Sequence, residues 1–330
     1  MVTLPSFEDR HREYRKHTRR EGGRIGRSRF WAQLSQEFET TFESNRFVPI
    51  GQLALSYGPR LGADPGVGTL PSLMGFAARG LRHIASRVER LVPARVKWEK
   101  AFRDLGLHEA PQPCNPFAHP VLGAKTCELT PDIFRAHYFF GRVHPFWSGA
   151  GRPRVLEIGA GAGMLVVLFH SNLRSQCVIV DLPEVIALSS AVVATLLPNA
   201  RLLFPNEIEA SKALEKQLSE YDFVFLWPDQ AALIEDDSID IAINTASFME
   251  MTSSEVDEYF SLIQRAVKKG GVFYCCNRLE KRPGLGDNEA RYFMKYPWRA
   301  QNEDLVLEVN PLIARTGGHL HIDRLQRIYK

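Results

Sequence analysis

Glu157 and three glycines at alternate positions, Gly159, Gly161 and Gly163, stand within RPRVLEIGAGAGMLVVLFH, residues 152–170. Together they combine a charge with backbone that a ligand can reach. Glycine accepts left-handed turn dihedrals and permits close approach to the main chain. An acid beside such a bend repels a pyrophosphate and attracts a cation. The dinucleotide pattern G-x-G-x-x-G would put its third glycine where this chain has Met164. The cradle therefore predicts a positively charged, phosphate-free nucleoside. Asp181, eighteen residues after Gly163 and at the end of the next apolar run, offers an acceptor for ribose hydroxyls. The plain alternative is a structural glycine turn with an incidental acid.

These groups need strand ends to hold them. From Arg154 the chain alternates strand-length apolar runs with helical patterns. VLEI is followed by a helix, GMLVVLFHSNL, and then by the strand CVIVD (177–181). A helix over 183–197 opens on Pro183, and ARLLF (200–204), DFVFLW (222–227) and IDIAIN (239–244) read as strands. An amphipathic helix over 253–271 stops at glycine, GVFYCCNR (271–278) is extended, and the tail from 305 to 330 adds one or two strands. This rhythm predicts a doubly wound, mostly parallel α/β sheet of the seven-stranded, Rossmann-like type, with its ligands at the carboxyl ends of the strands. Upstream, 29–47 and 76–92 have helical spacing, while 62–75 and 109–123 are Gly/Pro-rich connectors. Thr130-Pro131-Asp132 opens a helix over 130–147. The expected division is a helical region over 1–150, serving as cap, substrate contact or dimer surface, and a ligand-binding domain over 151–330.

With 330 residues, 45% of them hydrophobic and 24% charged, the composition is that of a soluble globular chain. No apolar run approaches the roughly 20 residues of a membrane span. The first twenty residues contain no apolar signal core, and Cys114, Cys127, Cys177, Cys275 and Cys276 form no C-x-x-C pair. Both features predict a cytoplasmic protein with reduced thiols. The net charge of +3 is uneven, because residues 9–29 hold nine Arg/Lys against three Asp/Glu. That arm reads as a solvated helix or frayed end. Nothing resembling an RNA-binding, zinc-finger or helix-turn-helix pattern accompanies it, so a nucleic-acid partner is not expected.

VLEIGAGAGML followed by VIVDLP resembles the first two motifs of class I S-adenosylmethionine-dependent methyltransferases, over about residues 150–280. More narrowly, HYFFGRVHPFW, FLWPDQ, INTASFMEM, FYCCNRLEK and YPW are similar to the sugar O-methyltransferase family. The resemblance implies S-adenosylmethionine as cofactor and methyl transfer to a hydroxyl of a small molecule, a sugar or glycosylated natural product. It implies that Glu157, Gly159, Gly161 and Gly163 line the methionine and ribose side, that Asp181 holds the ribose, and that Leu182 lies near the adenine. Leu226 and Trp227 would flank the adenine, a core position being the other reading of Trp227.

An alcohol attacks carbon poorly until its proton is taken, so a base is expected near the end of IDIAIN. Asn244 closes that run, and Glu250 sits in the apolar SFMEM, where burial would raise its pKa. Glu250 is the first candidate base, and an acid favoured by the dipole of the following helix is its alternative. His144, in RVHPFW, is the second candidate, against a packed histidine; His137 follows it. His319 and His321 share a strand face but lack a third ligand, so no metal is expected. Tyr292, Phe293, Tyr296 and Trp298, near Arg278, Lys281 and Arg282, form either a sugar-stacking surface or an apolar cluster. Three rivals remain: a catalytically silent cofactor binder, an NAD(P)-dependent oxidoreductase, and an RNA methyltransferase using the basic arm. A homodimer through the N-terminal region is allowed, and the acceptor is left open.

Overall fold

The computed structural model describes residues 5–21, 40–43, 46–49, 94–107, 131–209, 213–283, 289–317 and 319–330. Its first elements are α1 (Phe7–Glu21), a hairpin of β1 (Thr40–Glu43) and β2 (Arg46–Pro49), α2 (Ala94–Asp104) and α3 (Pro131–Val143). The hairpin corrects the helix expected over 29–47: Thr40 to Glu43 pairs antiparallel with Pro49 to Arg46. Thr40, Thr41 and Val48 are β-branched and favour extended backbone, which outweighs the helical spacing. Residues 29–39, the helix expected over 76–92 and the connectors at 62–75 and 109–123 lie outside the described residues.

Valine, isoleucine and leucine dominate the runs after Arg154, as suits strands covered on both faces. They form β3 (Arg154–Ile158), α4 (Met164–Leu173), β4 (Gln176–Val180), α5 (Pro183–Leu196), β5 (Leu202–Leu203), α6 (Leu214–Leu218), β6 (Phe223–Leu226) and β7 (Ile239–Thr245). Then come α7 (Ser253–Ala266), β8 (Val267–Arg278), the short pair β9 (Glu280–Lys281) and β10 (Arg291–Tyr292), β11 (Glu303–Val309), α8 (Pro311–Thr316) and β12 (His321–Arg327).

The large sheet has the order β11-β12-β8-β7-β3-β4-β6-β5. All pairs from β8 to β5 are parallel, and β12 runs antiparallel to both its neighbours. Eight strands stand where a seven-stranded sheet was expected, because the two-residue β5 pairs outside β6. The order reverses at β3: the chain builds β4 and β6 on one side and β7 and β8 on the other. That switch point opens a crevice at the strand ends. The register makes the ends level, with Ile158 opposite both Val180 and Asn244, and Val180 opposite Leu226.

One apolar layer covers the face under α3, α4 and α5, and another the face under α6 and α7. Helix α7 begins where Thr252 and Glu255 cap each other reciprocally, the Glu255 amide donating to Thr252 Oγ1 at 3.2 Å and the Thr252 amide to Glu255 Oε2 at 2.6 Å. It ends at Ala266, five residues short of the expected 271, because Val267 is fully buried and pairs with Ile239 as the first residue of β8. The basic N-terminal stretch is not simply solvated. In α1, His11 and Tyr14 are buried, and Arg10 pairs with Glu207 at 2.5 Å. Residues 22–29 of that arm lie outside the described residues. Among the described residues no helix is long and apolar enough to cross a membrane.

Candidate active site

The glycine bend leaves β3 directly over the switch point. Gly159, Gly161 and Gly163 all have positive φ, at 73°, 57° and 76°. The Gly159 amide donates to Val180 O at 2.9 Å, and Gly163 caps α4 in a left-handed conformation. A Cβ on Gly159 would run into Ser247 Oγ, so this position admits glycine alone without a shift of Ser247. Asp181 is tied into the same bend, accepting from the Gly161 amide at 3.1 Å and the Leu182 amide at 2.8 Å.

A cleft of about 1220 Å³ opens above these strand ends. Glu157, Gly159, Gly161, Asp181 and Leu182 line it, as Asp229 does after β6. Glu157 is 1% exposed, and its Oε2 is buried without a hydrogen-bond partner. Burial, with Asp181 beside it, pushes the Glu157 carboxyl up to about 8. Burial also lifts Asp181 to about 7, against the pull of its backbone amide donors. Two neighbouring acids that resist ionisation form a wall that gains from a ligand bearing positive charge or donating hydroxyls.

The far end of the cleft is built from β7, β8, β12 and α3. Asn244, at the end of β7 beside Ile158, is fully buried and fully engaged. Its Nδ2 donates to Ile158 O at 2.9 Å and to Ser247 Oγ, while its Oδ1 accepts from Asn277 Nδ2 at 2.8 Å and the Phe248 amide at 3.3 Å. With both its donors and two acceptor sites spent, Asn244 shapes the turn and leaves nothing for a substrate, which corrects its place among the catalytic candidates. The turn carries strain: Ala246, a cleft residue, has φ 57°. Strain of that kind gathers at functional sites. Glu250 follows in a short 3₁₀ turn and lines the cleft. Burial raises it to about 7, with Lys281 and Arg278 pulling the other way.

Other expected residues lie elsewhere. Leu226 is a core residue of the α6/α7 layer, and Trp227 turns toward α1, where its Nε1 donates to Tyr14 Oη at 3.1 Å. The cleft wall after β6 is instead Pro228, Asp229, Ala231 and Ala232. His144 is exposed and stacks on Phe140, its ring 5.2 Å away, and does not reach the cleft; nor does His137. Phe293, Tyr296 and Trp298 pack with Phe260 into the α6/α7 layer, so the apolar-cluster reading holds for them. Tyr292 is 40% exposed under Lys295. His319 and His321 both line the cleft, but among the described residues no group of three or more His, Cys, Asp or Glu side chains is placed to hold a metal.

Arg135 lines the cleft but was absent from the sequence-based candidates, and Arg278 entered them only as a neighbour of the aromatic run. The signal for Arg135 was available: Asp132, Arg135, Ala136 and Phe139 all line the cleft, at the spacing that defines one face of α3.

The fold and cleft define an open α/β sheet with a crevice at its switch point. No family model and no curated protein matches this chain. Solved structures with a similar backbone include geranyl diphosphate C-methyltransferase from Streptomyces coelicolor A3(2), in complex with Mg2+, geranyl diphosphate and S-adenosyl-L-homocysteine. It is 10% identical, covers 59% of this chain and 78% of its own, and has a TM-score of 0.40. An S-adenosylmethionine-dependent methyltransferase from Mesorhizobium loti is 13% identical, over 57% of this chain and 96% of its own, at a TM-score of 0.38. The [4+2]-cyclase SpnF is 16% identical, over 59% and 80%, also at 0.38.

Proposed function

We propose that this chain is an S-adenosylmethionine-dependent O-methyltransferase acting on a hydroxyl of a small molecule, a sugar or glycosylated natural product. The observation that carries the reading is the unpartnered, buried Glu157 oxygen beside Asp181, next to a glycine bend in which Gly159 leaves no room for a Cβ beside Ser247. A buried carboxylate oxygen is costly to leave unmet, and an ammonium or hydroxyl donor answers it. A pyrophosphate, facing two acids, does not. In this reading Glu157, Gly159, Gly161 and Gly163 hold the methionine and ribose side, Asp181 the ribose hydroxyls, and Leu182 and Asp229 the base. The last replaces Leu226 and Trp227.

When bound, S-adenosylmethionine supplies an electrophilic methyl group and leaves as a neutral thioether. The chain's own work is to align an acceptor hydroxyl and take its proton. Alignment is worth about 7–11 kcal/mol in well-oriented systems. Glu250 holds the proton on its carboxylate, and its position in the turn after β7 puts it beyond the glycine bend from Asp181.

Calorimetric titration tests the cofactor half. S-adenosylmethionine should bind the wild type, and Asp181→Asn should weaken it at least tenfold. Tight NAD⁺ binding with no response to S-adenosylmethionine would overturn the reading. Transfer of labelled methyl to a panel of hydroxylated acceptors tests the rest, and cofactor binding with no turnover on any of them would favour a silent binder.

A further inference from the structure

The end of the cleft opposite the acids carries two guanidiniums with unspent donors. Arg278 closes β8 and stands directly opposite His321 across the antiparallel β8–β12 pair. Strand alternation puts it on the same face as Tyr274 and Cys276, the face that α3 covers. Arg135 enters from α3. The Tyr138 hydroxyl on the same helix donates to Asp323 Oδ2 at 2.7 Å, locking α3 to β12 and so fixing where Arg135 reaches. Arg135 is partly engaged: Asp132 Oδ1 accepts from its Nη1 at 3.0 Å, and its guanidinium lies 5.2 Å from the Trp98 ring centre. Its Nε is nevertheless buried without a partner, and so is Arg278 Nε. Arg278 has no hydrogen bond or ion pair among the described residues.

The acids at this end are Asp132, already on Arg135, Asp323, whose oxygens accept from Tyr138 and Asn310, and Glu250, the base of the proposed reaction. His321 is not a third cation. Its Nδ1 donates to His319 O at 2.6 Å, and burial lowers it to about 4, with Arg135 and Arg278 adding to the effect. The neutral ring therefore presents Nε2 as an acceptor.

We propose that Arg135 and Arg278 form an anion-binding subsite, with His321 accepting from an adjacent hydroxyl, so that the molecule taken at this end is a polyhydroxylated carboxylate or phosphate. Its role as the methyl acceptor rests on the methyltransferase reading; the anion subsite itself does not. Guanidinium donors suit both anions, since each presents paired oxygens to the planar fork. The anion would lie on the same end of the cleft as Glu250, which acts on Arg278, leaving a neighbouring hydroxyl for the base.

The experiment is a thermal-shift titration of the full chain with sodium acetate and with sodium phosphate, against sodium chloride at matched ionic strength. The midpoint should rise above the chloride control as ligand linkage requires. The anion that shifts it more identifies the class. Arg278→Gln and Arg135→Gln should each weaken the apparent affinity at least tenfold. Arg278→Lys, which keeps charge and bulk, should lose less and guards against a folding defect. Arg282→Gln, at an exposed residue paired with Glu280, should change nothing. The proposal is overturned if neither anion exceeds chloride, or if Arg278→Gln leaves the shift intact while moving the pH midpoint of Glu250; Arg278 would then only balance that acid. S-adenosylmethionine titrated into the same proteins keeps the two readings apart: it should bind wild type and Arg278→Gln alike, and its failure on wild type would sink the methyltransferase reading while leaving the anion result standing.

Discussion

Glu157 is a buried acid and Glu250 a half-buried one, and their surroundings differ. Glu250 faces Arg278 and Lys281 and is held near neutrality, at about 7, where a base is most useful. Only its ionised form takes a proton, so kcat/KM should climb with pH and level off above a midpoint near 7. Glu250→Gln should remove that limb and lower the rate about 10²–10⁴-fold. A pH–rate profile of both proteins checks it, and an unchanged limb in the variant would move the base elsewhere. Gly159 permits a sharper test. Gly159→Ala puts a methyl group against Ser247 and asks alanine to hold φ 73°. Strain of this kind costs about 1–3 kcal/mol. Denaturant unfolding should show the loss, and calorimetry should show cofactor binding fall with it.

Among the elements, α1 is tied to the sheet's flank and the turn after β7 shapes the cleft. Helix α1 is pinned by a chain of polar contacts: the Trp227 indole donates to Tyr14 Oη, and Tyr14 donates to Pro183 O at 3.0 Å, at the start of α5. His11 Nε2 donates to Ala187 O at 2.9 Å on the same helix. Tyr14→Phe should cost about 1 kcal/mol in unfolding free energy, and a double-mutant cycle with Trp227→Phe should show the two losses coupled rather than additive. Asn244 plays the matching part on the other side of the switch point. Asn244→Ala would strip partners from Asn277 and Ser247, so it should destabilise by about 1–3 kcal/mol and weaken cofactor binding without moving the pH–rate midpoint. A shifted midpoint would return Asn244 to the chemistry.

For the molecule as a whole, the paired acids set a pH dependence of folding. Glu157 and Asp181 have folded pKa values of about 8 and about 7, above their ordinary 4.5 and 3.8. Groups raised in this way contribute stability that is complete below the unfolded values and is lost as pH climbs through the folded ones. The unliganded protein should therefore lose thermal stability between about pH 4 and about pH 8. Glu157→Gln should flatten the decline, and saturating S-adenosylmethionine should reverse it by supplying the opposing charge. Melting curves across that range decide the matter, and a wild-type midpoint constant over it would contradict the assigned ionisation. The pairing of buried Glu157 and Asp181 at the glycine bend with Arg135 and Arg278 at α3 and β8 is a property no single element carries.

The glycine bend, the acid closing β4 and the alternation of strands and helices were legible in the sequence, because each is written in a local pattern: glycine where φ must be positive, carboxylate at a strand end, period two against period 3.6. Glu250 was legible too, as an acid in an apolar run. Leu226 and Trp227 were misread, since which way a side chain turns after a strand depends on what packs against it. Here that partner is Tyr14, more than two hundred residues earlier. Arg135, Arg278 and His321 lie far apart along the chain and meet only because β8 and β12 pair in antiparallel register and α3 crosses above them. Local composition determined the glycine-bend end of the cleft. Long-range pairing, which no short window contains, decided the other.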